Sequence, residues 1–132
     1  SRGAGATLNG VPIRVAPPVD LSQALIGTGF SYLAERRQEQ ALVVAGLIGQ
    51  VRDIRRQGSA ALDLCDVAMG RLNGYFEREL NPWDHAAGAL IAQEAGAHVG
   101  GLNGSRASSE FLLAAEPGVA KALESALIAC ET

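Results

Sequence analysis

Two carboxylates stand out as candidates for chemistry. Glu77 closes the apolar run Gly74-Tyr75-Phe76-Glu77, which reads as a short strand. Asp84 follows seven positions later and opens a helical pattern, Asp84-His85-Ala86-Ala87-Gly88. Small residues in a first helical turn let the backbone approach a neighbour or a ligand closely. A carboxylate at a helix N-terminus is held in its ionised form by the helix dipole, which suits a hard cation such as Mg²⁺. The same residue also reads as an ordinary N-cap, with Trp83 as a core anchor. Residue types and spacing leave both readings open.

A second segment, Arg55-Arg56-Gln57-Gly58-Ser59-Ala60-Ala61, places a glycine and a small hydroxyl residue at a strand-to-helix junction. Such a junction turns backbone N–H groups outward, a ready place for an anion or a hydroxyl. It reads equally as a capped helix with Gly58 supplying the turn. The remaining polar residues carry less. His85 and His98 lack a partner at metal-ligand spacing. Asp63 and Asp66 are expected on a solvated helix face. Arg52, Arg55 and Arg56 are expected as a salt-bridged edge, although they could grip a phosphate. Neither G-x-S-x-G nor a P-loop occurs.

These residues need elements to hold them. Asn9-Gly10 between apolar residues signals a hairpin whose second arm is Pro12–Val15. The run Ala24 to Phe30, broken by Gly27 and Gly29, reads as a buried strand ending in a glycine-rich loop with Thr28. A helix is expected from about Leu33 to Gln50, with Ala34, Ala41, Ala45 and Ile48 at helical spacing. Arg52 to Arg56 fits a short strand. A helix capped by Ser59 would bury Ala61, Leu64, Cys65, Ala68 and Leu72. Another helix runs from near Asp84 to a Gly96 cap. Strands are expected at Ala97–Val99 and Phe111–Ala115. A last helix follows Pro117 with Val119, Leu123, Leu127 and Cys130 on one face. Short strands alternating with helices predict an α/β fold, one sheet covered by helices.

Composition sets the bounds. The 132 residues are 48% hydrophobic and 19% charged, far too apolar for disorder. The length suits one domain with a sizeable core. Fourteen acidic residues against eleven basic ones give a net charge of −3 and no general field to recruit nucleic acid or anionic lipid. No apolar run is long enough for a membrane helix. Cys65 and Cys130 stand far apart in no metal spacing, as expected of free thiols in a reducing compartment.

Trp83-Asp84-His85-Ala86-Ala87-Gly88 resembles the W-D-x-A-A-G signature of the inositol monophosphatase family. Arg56-Gln57-Gly58-Ser59-Ala60-Ala61-Leu62-Asp63 resembles the segment preceding it in bacterial members. Thr28-Gly29-Phe30, Gly70-Arg71, Tyr75-Phe76-Glu77 and Glu94-Ala95-Gly96-Ala97 fall in the same order. The resemblance implies a mixed α/β sheet like the C-terminal half of the inositol monophosphatase and fructose-1,6-bisphosphatase fold. It implies a cytoplasmic, homodimeric, Mg²⁺-dependent phosphatase that hydrolyses myo-inositol 1-phosphate, with another monoester (a sugar phosphate, a nucleotide 3′-phosphate or histidinol phosphate) or a non-catalytic interaction module as the alternatives. Asp84 would then be a metal ligand and Glu77 would accept hydrogen bonds from substrate hydroxyls. Gly58, Ser59 and Ala60 would line the inositol, with Thr28 and Gly29 bordering the same pocket. The family's Glu-rich helix and its D-P-[IL]-D-G-T motif do not occur here. Residues 1–132 are therefore expected to be the C-terminal portion of such an enzyme, inactive alone because one Asp84 cannot hold two or three metal ions.

Overall fold

The computed structural model describes residues 5–31, 33–80 and 82–130. The side chain of Trp83, expected as a core anchor, lies outside the described residues. In chain order the elements are β1 (Ala6–Leu8), β2 (Val11–Ile13), β3 (Leu25–Thr28), α1 (Ala34–Leu47), β4 (Asp53–Arg55) and α2 (Ala60–Ala68). They continue as β5 (Gly74–Glu77), α3 (Pro82–Glu94), β6 (His98–Gly100), β7 (Leu112–Ala115) and α4 (Pro117–Cys130).

β1 and β2 form a separate hairpin. Asn9 and Gly10 have φ of 52° and 77°, the left-handed pair that a two-residue turn of this twist requires. The hairpin docks beside α3, where Ala6 and Ile13 pack against a cluster of Ala68 from the end of α2 with Ala92 and Ala95. The main sheet has the order β4-β3-β5-β7-β6. β4, β3 and β5 are parallel, and β7 runs antiparallel to both of its neighbours. Helices cover both faces. On one side, Leu47 of α1 and Val119, Leu123 and Leu127 of α4 meet Ile26, Phe76, Leu113 and Ala115 of the sheet. On the other, Leu64 and Val67 of α2 meet Tyr75, Leu112 and Ala114, while α3 packs outside α2. Alternation along β5 explains the division, because Tyr75 and Phe76 point to opposite faces. The result is the expected α/β architecture, a mixed sheet covered by helices.

Two helices bury different residues from those their spacing suggested. Ala34, Ala41 and Ala45 of α1 and Ile48 just beyond it are exposed, and Leu47 is the buried residue. α1 rests mainly on α4 rather than on the sheet, so it needs little apolar surface. In α2, the buried residues are Ala60, Asp63, Leu64, Val67 and Ala68, while Ala61 is exposed. α2 is enclosed by the sheet beneath and α3 beside it, which widens its buried arc past a single stripe. α3 comes close because position 88 is glycine. A Cβ there would lie 2.9 Å from the Leu64 Cβ.

The expectation of a solvated Asp63 is corrected by this arrangement. Asp63 is 1% exposed, and its Oδ2 has no hydrogen-bond partner among the described residues. Its Oδ1 accepts from the Gln57 side-chain amide at 2.6 Å, and the same nitrogen donates to Asp66 Oδ2 at 2.7 Å. Burial pushes the Asp63 carboxyl up to about 6, against the Gln57 hydrogen bond and with help from the Glu77 and Asp66 charges.

Two outcomes follow from this packing. Gly88→Val should destabilise the fold by about 1–3 kcal/mol through overpacking against Leu64, read by urea denaturation with an unchanged slope. Asp63→Asn should do the opposite near neutral pH. The folded protein holds the Asp63 proton more tightly than the unfolded chain, so this group's stabilising contribution is full below pH 3.8 and lost as pH rises through about 6. The Asn variant keeps an acceptor for Gln57 and removes that loss. At pH 7.5 it should be more stable by up to about 3 kcal/mol, and the difference from wild type should vanish as pH falls below 4. Equal stability of the two proteins at pH 7.5 would contradict a buried, charged Asp63.

Candidate functional site

β3 and β5 are parallel neighbours, with Thr28 opposite Phe76. Both chains therefore leave the sheet at the same edge, where ligand sites of parallel sheets form. The segments after them, Gly29–Ser31 and Glu77–Leu80, border a cavity of about 420 Å³. Its remaining lining comes from Arg56, from Gly58-Ser59-Ala60-Ala61 at the start of α2, and from Asp84 in the first turn of α3.

The local reasons are visible in the residues. Gly58 sits at φ 83°, which turns the chain from β4 into α2. Ser59 caps α2, its hydroxyl accepting from the Leu62 N–H at 3.2 Å. Ala60 and Ala61 belong to the first turn, whose N–H groups have no partners within the helix and carry the positive end of its dipole. Asp84 is exposed, and it is the third residue of α3 rather than the cap.

Glu77 is half-buried at the centre of this wall. It accepts a hydrogen bond from the Tyr75 hydroxyl. Burial raises its pKa, the Tyr75 hydrogen bond and the Arg56 charge lower it, and Asp84 raises it again by repulsion. Arg56 lies 5.9 Å from the centre of the Phe30 ring, so the cation rests on an aromatic face at the cavity rim. The carboxylate occupies space left by Gly29, where a Cβ would collide with it.

Of the residues singled out from sequence, Glu77, Gly58, Ser59, Ala60, Asp84 and Gly29 are brought to one cavity. Thr28 is not. It is buried, and its hydroxyl donates to the Phe76 carbonyl at 2.9 Å, tying β3 to β5. Thr28 lines instead a larger adjoining cavity of about 750 Å³, shared with Phe30, Val43, Phe76 and Phe111. Of the three arginines expected at a salt-bridged edge, Arg55 pairs with Asp53 at 2.9 Å, whereas Arg56 turns to the Phe30 ring and the cavity. His98 is exposed and His85 half-buried.

The chemistry this wall can perform is recognition. A carboxylate accepts from hydroxyls, and helix N–H groups and Arg56 attract an anion. Among the described residues, no three His, Cys, Asp or Glu side chains converge on a point that could hold a metal ion. Asp84 could contribute one carboxylate to Mg²⁺, an ion usually held by one or two carboxylates together with several waters and substrate phosphate.

Tyr75 and Gln57 escaped the sequence reading. Tyr75 lies two positions before Glu77, and the period of a strand puts both on one face, a signal that was present. Gln57 gave no such signal, because its partners, six and nine positions on, depend on how the loop enters α2.

Comparison with known proteins fits this geometry. The family model described as the inositol monophosphatase family matches residues 1–131. The chain is 52% identical over 117 residues to a protein of Mycobacterium leprae named inositol-1-monophosphatase, covering 87% of this chain and 40% of that protein. It is 50% identical over 99 residues to a Vibrio cholerae protein named Nus factor SuhB, covering 74% of this chain and 37% of that one. The solved inositol monophosphatase of Anabaena superposes with a TM-score of 0.88 at 37% identity, over 96% of this chain and 52% of that one. The chain thus spans about half, or less, of the length of these relatives. On sequence and fold together, it belongs to the inositol monophosphatase family.

Proposed function

We propose that these 132 residues form the substrate-binding portion of a phosphatase that hydrolyses myo-inositol 1-phosphate to inositol and phosphate. One observation carries the reading: Glu77, the Gly58-Ser59-Ala60 segment and Asp84 border the same cavity. Glu77 accepts from inositol hydroxyls, and the first-turn N–H groups of α2 line the ring. When Mg²⁺ is bound, Asp84 would supply one of its carboxylate ligands. Metal ions in such a site stabilise charge on the phosphoryl oxygens. A solved structure of SaIMPase-II bound to inositol monophosphate, 25% identical, supports this substrate class. A second SaIMPase-II structure, bound to 2′AMP, supports a second monoester class. The enzyme is read as cytoplasmic and homodimeric; no described helix is long and apolar enough to cross a membrane.

A second reading is a non-catalytic interaction module, favoured by the Nus factor name of the Vibrio relative. Asp84→Asn in the full-length protein separates the two. Under the enzyme reading, kcat for inositol 1-phosphate falls about a hundredfold or more while the thermal midpoint is kept. Unchanged turnover favours the module. The 132-residue chain alone should show negligible phosphatase activity at any Mg²⁺ concentration. Mg²⁺-dependent turnover by that chain would overturn the division of the site proposed here, and a panel of sugar and nucleotide monoesters would rank the substrates.

A further inference from the structure

We propose that Tyr75 is a positioning residue for Glu77: its buried hydroxyl fixes the carboxylate in the orientation that receives substrate hydroxyls. This rests on the reading of Glu77 as a substrate contact. Tyr75 is 0% exposed and never reaches the cavity lining. Its ring is locked among Leu64, Val67, Leu72, Leu80 and Leu112. Its hydroxyl is not spent on the backbone but donates to Glu77 Oε1. Both residues lie on one face of β5, so the contact follows from strand geometry and not from a flexible loop.

The surroundings make this hydrogen bond directional. A carboxylate has four acceptor positions and could turn in several ways. Arg56, at the cavity rim, attracts the same carboxylate from the opening. The Tyr75 hydroxyl fixes Oε1, and the carboxylate it holds borders the cavity. The seat exists because Gly29 has no side chain; a Cβ there would strike the Glu77 carboxylate. Burial and the Glu77 charge also push the Tyr75 hydroxyl far above its ordinary range, so it keeps its proton and remains a donor. In a Tyr75→Phe variant the shape of the core is retained, and Glu77 is free to swing to Arg56.

The test compares two substrates in the full-length phosphatase. Myo-inositol 1-phosphate presents ring hydroxyls to Glu77, whereas p-nitrophenyl phosphate presents none. Tyr75→Phe should raise KM for the inositol ester about tenfold, with kcat changed by less than about twofold. Both constants for the aryl ester should stay within about twofold. Glu77→Gln should add little in the Tyr75→Phe background compared with its effect in wild type. Gly29→Ala, which unseats the carboxylate without altering Tyr75, should reproduce the substrate-selective rise in KM and serves if Tyr75→Phe fails to fold. Equal losses on both substrates, or an unchanged KM for the inositol ester, overturn the positioning role alone. A wild-type enzyme that turns over the aryl ester but not the inositol ester overturns the substrate reading and this inference with it.

Discussion

Carboxylates can lie against the main chain of a parallel strand only where that strand carries no side chains. Gly27 and Gly29 meet this condition, two residues apart and therefore on one face of the chain that forms and follows β3. A Cβ at Gly27 would sit 2.8 Å from Leu72 Cδ1 and 3.3 Å from Asp63 Oδ1, and one at Gly29 would strike Glu77. The bare stripe lets α2 deliver Asp63 and β5 deliver Glu77 into the same narrow layer. The opposite face of the sheet, under α4, is filled by Ile26, Phe76 and Leu113, and its buried Thr28 hydroxyl is bonded to the Phe76 carbonyl. One face of the domain is thus built for stability and the other accommodates charge.

Charge in that layer is balanced unevenly. Glu77 has a Tyr75 donor on the inside and the Arg56 cation toward the opening. Asp63 has the Gln57 amide on one oxygen and, among the described residues, no partner on the other. An ionised carboxylate in that position works against folding, since burial disfavours its charged form. The Gln57 nitrogen joins Asp63 to Asp66, and in doing so anchors the loop that leads into Gly58 and Ser59. Structural tension is concentrated where the cavity wall has to hold its shape, a pattern familiar from sites that trade stability for geometry.

Much of this was legible before any coordinates. The Asn9-Gly10 turn, the Ser59 cap and the Gly96 stop, at φ 102°, are local devices that need only neighbouring residues to act. Element types followed from the same local logic, and the W-D-x-A-A-G signature led to the family and the fold. Burial was read less well. Ala34, Ala41, Ala45 and Ile48 formed a plausible apolar stripe, yet α1 leans on α4 and shows most of that stripe to solvent. Asp63 looked like a solvated residue because charge was the only clue, and it is among the most buried in the chain.

What the amino-acid sequence determines by itself is therefore where turns, caps and strands occur and which family signature they carry. These depend on backbone preferences and hydrogen bonds that close within a few residues. The tertiary structure decided which faces are covered, because a helix buried on two sides hides residues that a single apolar stripe would expose. It also brought Gly29, Gly58, Glu77 and Asp84 to one cavity, and Tyr75 behind Glu77. Proximity between residues dozens of positions apart depends on strand order and on the depth to which helices settle onto a glycine-bared strand. Neither quantity is written in any local stretch of the chain.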